Sequence, residues 1–494
     1  MRDRALAVLI LLGCSLLAIG QSAAPPSVEK PSRGAGSPVA GAPSAGGSPV
    51  AADRELKLVV ALFRHGVRAP LDGFTDESAN AHSKNTWPRL AAWKVMKDEH
   101  GEPGDWGDLT VQGQKLVTAL GDYYAKYYKS PEAWPNGFKA FLWADAEDQR
   151  TRETAKALAD GLRKPDINVT VDFLQPTGKV DLLFHPFKAE CGTPNPPDLE
   201  SIAYHIKSNW WLWAERYKNR FSQFYGVLGC GSAASCNFTT PDEATSWTTN
   251  DKRESPIKWT GRFSYASSAT EAFLLEYANN MQVAWNNVDT AALRTMPFLH
   301  EFFFEQTERR RYLAQIQGSN LIKEIFNVIN WKETGHKSGC PHAPSESQFV
   351  GLVGHDTNLA HVGVLLNLHW KFDDPRLPDD TKGLPENDAL PAGALVFELR
   401  QRDGKWLVRV EYVTQSLYQM KNGPVSEAFR LQVQGSDCDY QLGPCEIPFE
   451  KFEQRVEREA VNKFLSTCSN GTNPQQVCVR TPASRPRIKK GRRP

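Results

Sequence analysis

Leu58-Val59-Val60-Ala61-Leu62-Phe63-Arg64-His65-Gly66-Val67-Arg68-Ala69-Pro70-Leu71 is the stretch on which the reading of this chain turns. Six consecutive apolar residues, four of them branched, fit a strand buried on both faces, as in a parallel sheet. Such sheets bind ligands beyond the carboxyl ends of their strands. Arg64, His65 and Arg68 stand at that end. Two guanidiniums flanking an imidazole repel one another unless an anion lies between them, and the arginine fork matches phosphate oxygens bidentately. The segment therefore reads as a phosphate pocket with a nucleophile built in. Taken alone, an Arg-His pair is as readily a solvated surface feature, so the rest of the chain has to decide.

Two further segments repeat the pattern. Residues 138–143 form a short apolar run ending in Ala144-Asp145-Ala146-Glu147-Asp148-Gln149-Arg150, after which Ala155, Leu158, Ala159 and Leu162 recur at helical spacing. Arg150 falls where loop turns into helix, a place whose unpaired backbone N–H groups favour anions. Residues 349–353 lead likewise into Gly354-His355-Asp356-Thr357-Asn358, and Leu359, Val362, Leu365 and Leu366 follow with helical spacing. Thr357 or Asn358 is the expected cap of that helix. Thr110 is expected to cap another, carrying Leu116, Leu120, Tyr123 and Tyr124 on one side. Residues 394–400 and 406–414 alternate as strands around Asp403-Gly404, a hairpin signal. Between 190 and 300 the chain is rich in aromatics, residues 269–275 read as a buried helix, and Trp210, Trp211 and Trp213 read as core rather than as a carbohydrate platform. The fold class is α/β, with a central, mostly parallel sheet flanked by helices and a helical insertion.

At 494 residues, 40% of them hydrophobic, the chain exceeds what one core usually holds, so two cores are expected. Residues 1–20 combine Arg2 and Arg4 with an apolar run and Ala18-Ile19-Gly20, the pattern of a cleaved signal peptide, so the mature chain is expected in the periplasm or secreted. Leu11-Leu12-Gly13-Cys14 resembles a lipoprotein processing site, and a lipid anchor at Cys14 ranks second. No later stretch approaches the ~18–20 apolar residues of a transmembrane segment. Residues 21–52 are almost all Ala, Pro, Gly and Ser, the composition of a flexible linker. The cysteines left after the signal are even in number, which in an exported chain points to disulfides. Cys230 with Cys236 and Cys438 with Cys445 look like local clasps, and without any Cys-x-x-Cys or Cys-x-x-His pair no metal site is expected. The tail, 480–494, carries seven basic side chains and no acid, which reads as a solvated, disordered end. The remainder is net acidic, which argues against a nucleic-acid partner.

Three separated strand ends thus offer Arg64-His65-Arg68, Arg150 and His355-Asp356. The set resembles the histidine acid phosphatases, the second branch of the histidine phosphatase superfamily, which includes bacterial phytases and glucose-1-phosphatases. Asp181-Leu182-Leu183-Phe184-His185-Pro186, Thr260-Gly261 with the Glu271 helix, Gly354 to Ala360 and the Cys438/Cys445 clasp extend the resemblance over residues 53–470. It implies His65 as nucleophile, Arg64, Arg68, Arg150 and His355 as phosphate ligands, Asp356 as proton donor and Glu271 on the substrate side. It implies no cofactor, and as partner a small phosphorylated substrate, phytate or a sugar phosphate. It also implies a domain over 53–479 with a helical cap drawn mainly from 72–135 and 190–300, and disulfides Cys191–Cys468 and Cys230–Cys236, leaving Cys340 with Cys478.

Chemistry fits those roles. A loose phosphoryl-transfer transition state spreads charge over its equatorial oxygens, which positioned cations stabilise, and an imidazole attacks phosphorus so that water enters only in a second step. Leu71 stands where the family's phytases carry Thr and its glucose-1-phosphatases carry Leu, whereas Gly66-Val67 and Glu271 are phytase-like. The substrate signal is therefore mixed. The competing class is an exported binding or adhesion protein that keeps the fold without catalysis, and the intact His65 and Asp356 argue against it.

Overall fold

The apolar run opens as strand β1 (Glu55–Arg64), and its alternate residues enter two different cores. Leu58, Val60 and Leu62 pack in one with Leu321, Ile325, Leu359, Val362 and Leu365. Val59, Ala61 and Phe63 pack in the other with Val117, Leu120, Tyr124 and Leu158. Side chains of a strand point alternately to opposite faces, so a strand covered by helices on both must be apolar throughout.

The computed structural model describes residues 55–71, 81–97, 101–102, 104–188, 192–238, 243–249, 255–336, 341–440, 444–468 and 476–478, with 466–468 and 476–478 described by backbone alone. The expected signal peptide, the linker, the basic tail and the Cys191–Cys468 and Cys340–Cys478 disulfides lie outside what is described. The two local clasps, Cys230–Cys236 and Cys438–Cys445, are both formed. Among the described residues, no helix is long and apolar enough to cross a membrane.

After β1 come β2 (Phe138–Ala144), β3 (Ile167–Asp172), the small pair β4 (Ala244–Trp247) and β5 (Ile257–Thr260), then β6 (Phe349–Gly354), β7 (Leu368–Trp370), β8 (Ala394–Arg402), β9 (Lys405–Thr414), β10 (Phe429–Gly435) and β11 (Glu446–Pro448). Nine of them form one sheet, ordered β3-β2-β6-β1-β8-β9-β10-β7 with β11 on β9. Only the β3-β2-β6-β1 half is parallel. The expected mostly parallel sheet is in fact mixed, because β8 and β9 are joined by a tight hairpin that forces antiparallel pairing. Asp403 and Gly404, with φ of 49° and 73°, make its two-residue turn, as the sequence predicts.

A third core belongs to the helical region and gathers Trp87, Leu199, Phe221, Phe224, Trp259, Phe263 and Phe273. Helix Arg262–Ala278 joins it to the sheet: Phe263, Ala266, Ala269 and Phe273 face the helical core, while Leu274, Leu275 and Ala278 reach the core over the sheet. Helix Val111–Tyr128, which the expected cap range of 72–135 includes, packs instead on the sheet through Val117, Leu120, Tyr124 and Tyr128. Its Thr110 cap is observed, accepting from the Gly113 N–H at 2.9 Å. Of the tryptophan cluster, Trp210 and Trp213 pack against the helical core, but Trp211 is 56% exposed, because its helix Pro196–Arg216 buries only one face.

Candidate active site

The parallel register sets the geometry. Arg64 of β1 lies beside Gly354 of β6, and Val353 beside Ala144 of β2, so three loops leave the same sheet edge side by side. The first is held tightly. The His65 N–H donates to Gly354 O at 2.9 Å, the Ala392 N–H to His65 O at 2.9 Å, and the Gly66 N–H to Thr154 Oγ1 at 2.9 Å. Thr110 donates both its N–H and its hydroxyl to Val67 O, at 2.9 and 3.1 Å. The backbone between the two arginines is therefore fixed from four segments before any ligand arrives.

Arg64, His65 and Arg68 are all buried. Buried cations need partners, and two carboxylates supply them. Glu271, presented by the helix that joins the two cores, pairs with Arg64 and accepts from Arg68 Nη2 on both oxygens at 3.0 Å. Asp356 Oδ2 lies 3.0 Å from Arg64 Nη2, and Arg64 Nη1 donates to Ala389 O at 2.5 Å. Burial alone would raise the proton affinity of both carboxyls, but Arg64 drives Asp356 well below the usual carboxylate range, and Arg68 with Arg64 lowers Glu271. Both are anions in the site as it stands. Asp356 is the first residue of its helix, so His355, rather than the expected Thr357 or Asn358, takes the N-cap position, with Asn358 Oδ1 accepting the His355 N–H at 2.8 Å.

His65 Nδ1 sits 2.9 Å from Gly66 O. A carbonyl only accepts, so Nδ1 carries the hydrogen and the neutral ring keeps its lone pair on Nε2. Burial, then the charges of Arg150, Arg64 and Arg68, push the His65 pKa well below the ordinary imidazole value. An unprotonated nitrogen ringed by guanidiniums can attack an anionic phosphorus centre that the same guanidiniums hold.

Arg150 and His355 meet at a residue that the sequence reading did not single out. Asp148 Oδ2 accepts from Arg150 Nη2 at 2.8 Å and from His355 Nε2 at 2.8 Å. Although burial opposes it, these two partners hold the Asp148 carboxyl far below its usual range. The His355 and His65 rings lie edge to face, with centroids 5.6 Å apart. Behind them stand Asp145 and His185, with His185 Nε2 2.8 Å from Asp145 Oδ2. Asp145, Asp148, His185 and His355 bring donor atoms within 4.8 Å of one another, a grouping of metal-binding type that corrects the expectation of no such cluster. Linear spacing could not reveal it, because His185 lies 40 residues from Asp145. All seven residues singled out from the sequence, Arg64, His65, Arg68, Arg150, Glu271, His355 and Asp356, thus belong to one linked group.

Comparison with known proteins agrees with this architecture. The family model described as histidine phosphatase superfamily (branch 2) matches residues 55–413. The phytase AppA of Escherichia coli (strain K12) is 29% identical over 397 residues, covering 74% of this chain and 83% of that protein. The glucose-1-phosphatase of Providencia rettgeri is 24% identical over 389 residues, covering 75% and 83%. Among solved structures, the tartrate complex of Hafnia alvei phytase superposes with a TM-score of 0.68 at 25% identity, over 84% of this chain and 99% of that one. With the motif match spanning both the sheet and the helical region, the chain belongs to branch 2 of the histidine phosphatase superfamily.

Proposed function

We propose that this chain is an exported acid phosphatase that hydrolyses phosphomonoesters, phytate or a sugar phosphate, through a phosphohistidine at His65. The observation that carries the reading is the tautomer of His65: with its Nδ1–H on Gly66 O, the lone pair of Nε2 is left among Arg64, Arg68 and Arg150. The substrate phosphate displaces Glu271 from Arg64 and Arg68 and is oriented by Arg150 and His355. His65 Nε2 attacks phosphorus and the ester P–O bond breaks. The departing alkoxide takes a proton from Asp356, and water then cleaves the P–N bond, returning that proton.

Asp356 is ionised without substrate, yet the step needs its acid form. A phosphate that takes over Arg64 removes the counter-charge of Asp356 and adds a like charge beside it, and both raise its proton affinity. His65, in contrast, stays neutral in mild acid, because burial and then the neighbouring guanidiniums disfavour its charged form. The two requirements overlap at acidic pH. Export is supported by the two disulfides. The substrate class is supported by the relatives: Hafnia alvei phytase has been solved with myo-inositol hexakis sulphate, and the other relative is a glucose-1-phosphatase.

The test is rapid quench with 32P-labelled phytate and glucose 1-phosphate. Acid-labile, base-stable label on wild type and none on His65→Ala is expected. Turnover retained by His65→Ala removes the nucleophile, and folded wild type inert toward phytate, glucose 1-phosphate, nucleotides and an aryl phosphate makes this a non-catalytic binding protein.

A further inference from the structure

Behind the phosphate site, His355 Nδ1 and Asp145 Oδ2 face each other. His355 Nε2 donates to Asp148 Oδ2 at 2.8 Å, since a carboxylate oxygen accepts. The other ring nitrogen, Nδ1, takes no part in that bond. That nitrogen is buried in a residue only 7% exposed, and it has no hydrogen-bond partner. It points toward Asp145 Oδ2 across 3.8 Å. A proton does not bridge such a gap, because N–H···O bonds need about 2.7–3.2 Å. A cation of larger reach does: with metal–donor bonds of about 2.0–2.2 Å, adjacent donors of a tetrahedral site stand roughly 3.4 Å apart.

The other components of a site are in place. His185 Nε2, which donates to the same Asp145 oxygen at 2.8 Å, supplies a second imidazole when a cation displaces that hydrogen, and the His185 and His355 rings are 5.2 Å apart. Asp148 already performs the task of a supporting carboxylate, accepting the N–H of a metal-binding histidine and fixing its tautomer. Two imidazoles with one carboxylate select borderline divalent ions such as Zn²⁺ over Mg²⁺ or Ca²⁺, which prefer all-oxygen shells.

We propose that Asp145, His185 Nε2 and His355 Nδ1 bind one zinc-class divalent cation, and that its binding inhibits the enzyme. Ligation through Nδ1 locks the His355 ring with its Nε2–H on Asp148, so the ring no longer turns to the phosphate. The inhibition rests on the phosphatase reading, whereas the binding does not. The cation acts as a reversible brake on the site.

The experiment uses the full chain, stripped with chelator and desalted. Calorimetric titration with ZnCl₂, without any ester, is expected to give one tight site that weakens at least about tenfold in His185→Gln. Zinc-edge absorption of the loaded wild type should give two imidazoles in the first shell, a readout that does not depend on the variant folding. Hydrolysis of para-nitrophenyl phosphate, a weak chelator, should fall in step with occupancy and return with added chelator. No saturable binding, or a first shell with fewer than two imidazoles, overturns the site. Two imidazoles with undiminished turnover overturns the brake. Stripped enzyme that hydrolyses no ester overturns the phosphatase reading and leaves the binding result standing.

Discussion

Arg150→Ala removes a guanidinium from the proposed phosphate site and at the same time takes one of the two partners, Arg150 and His355, from Asp148. By comparison with the loss of one preorganised oxyanion donor, the variant should lose about 3 kcal/mol of transition-state stabilisation, roughly 10²-fold in kcat/KM. Steady-state kinetics on a sugar phosphate checks it, and a wild-type value takes Arg150 out of the site. Asp356→Asn keeps the shape of the side chain and removes the proposed acid. Aryl oxide departs without much help, whereas a sugar alkoxide does not, so the variant should lose far more activity on glucose 1-phosphate or phytate than on para-nitrophenyl phosphate. Equal losses on both, with binding intact, would transfer the acid role to Glu271, the other carboxylate on Arg64.

At the scale of elements, helix Val111–Tyr128 braces the loop that carries the proposed nucleophile His65. A Cβ on Gly113 would lie 2.2 Å from Val67 O and 3.0 Å from Val67 N, so the helix approaches the backbone between His65 and Arg68 with no room to spare. Gly113→Ala must push that backbone or the helix away. Overpacking of this kind costs about 1–3 kcal/mol of stability, and displacing a reacting group by about 1 Å costs roughly 10²-fold in rate. Both effects are expected in one variant, read by denaturant unfolding and by kcat/KM on folded protein. Lowered stability with an unchanged rate would mean that β6, Ala392 and Thr154 hold the loop without the helix.

For the molecule as a whole, buried carboxyls set the response to pH. Burial pushes Glu276 up to about 8, Glu243 and Glu301 up to about 7, and Asp181 and Asp388 up to about 6. A carboxyl whose folded pKa is raised makes the folded state bind the extra proton. Its contribution is complete below the unfolded value near 4 and is lost as pH rises through the folded pKa. His65 works the other way, since folding lowers its proton affinity and stability is lost as pH falls below about 6.5. Between pH 5 and 8 the carboxyls outweigh it, so Tm should be higher at pH 5.5 than at pH 8. Glu276→Gln keeps an acceptor for the Ala284 N–H, bonded to Glu276 at 2.7 Å, and should narrow the difference. Equal Tm values at the two pH values in wild type would show that these groups do not govern stability.

What the sequence determined by itself was local. Apolar runs broken by charged loops at 64, 145 and 355, helical spacing behind them, the Thr110 cap and the Asp403-Gly404 hairpin all follow from backbone preferences and side-chain periods spanning a few residues. They are enough to place Arg64, His65, Arg68, Arg150 and Asp356 at strand or helix ends. Only the tertiary structure decided which charges meet. Glu271 reaches Arg64 from 207 residues away, Asp148 is shared by Arg150 and His355, and Asp145 stands between two imidazoles. The same holds for the antiparallel half of the sheet and the exposure of Trp211. Strand order and helix docking are chosen by burial summed over the whole chain, and a buried charge finds its counter-charge wherever that packing brings one, at a distance no sequence period records.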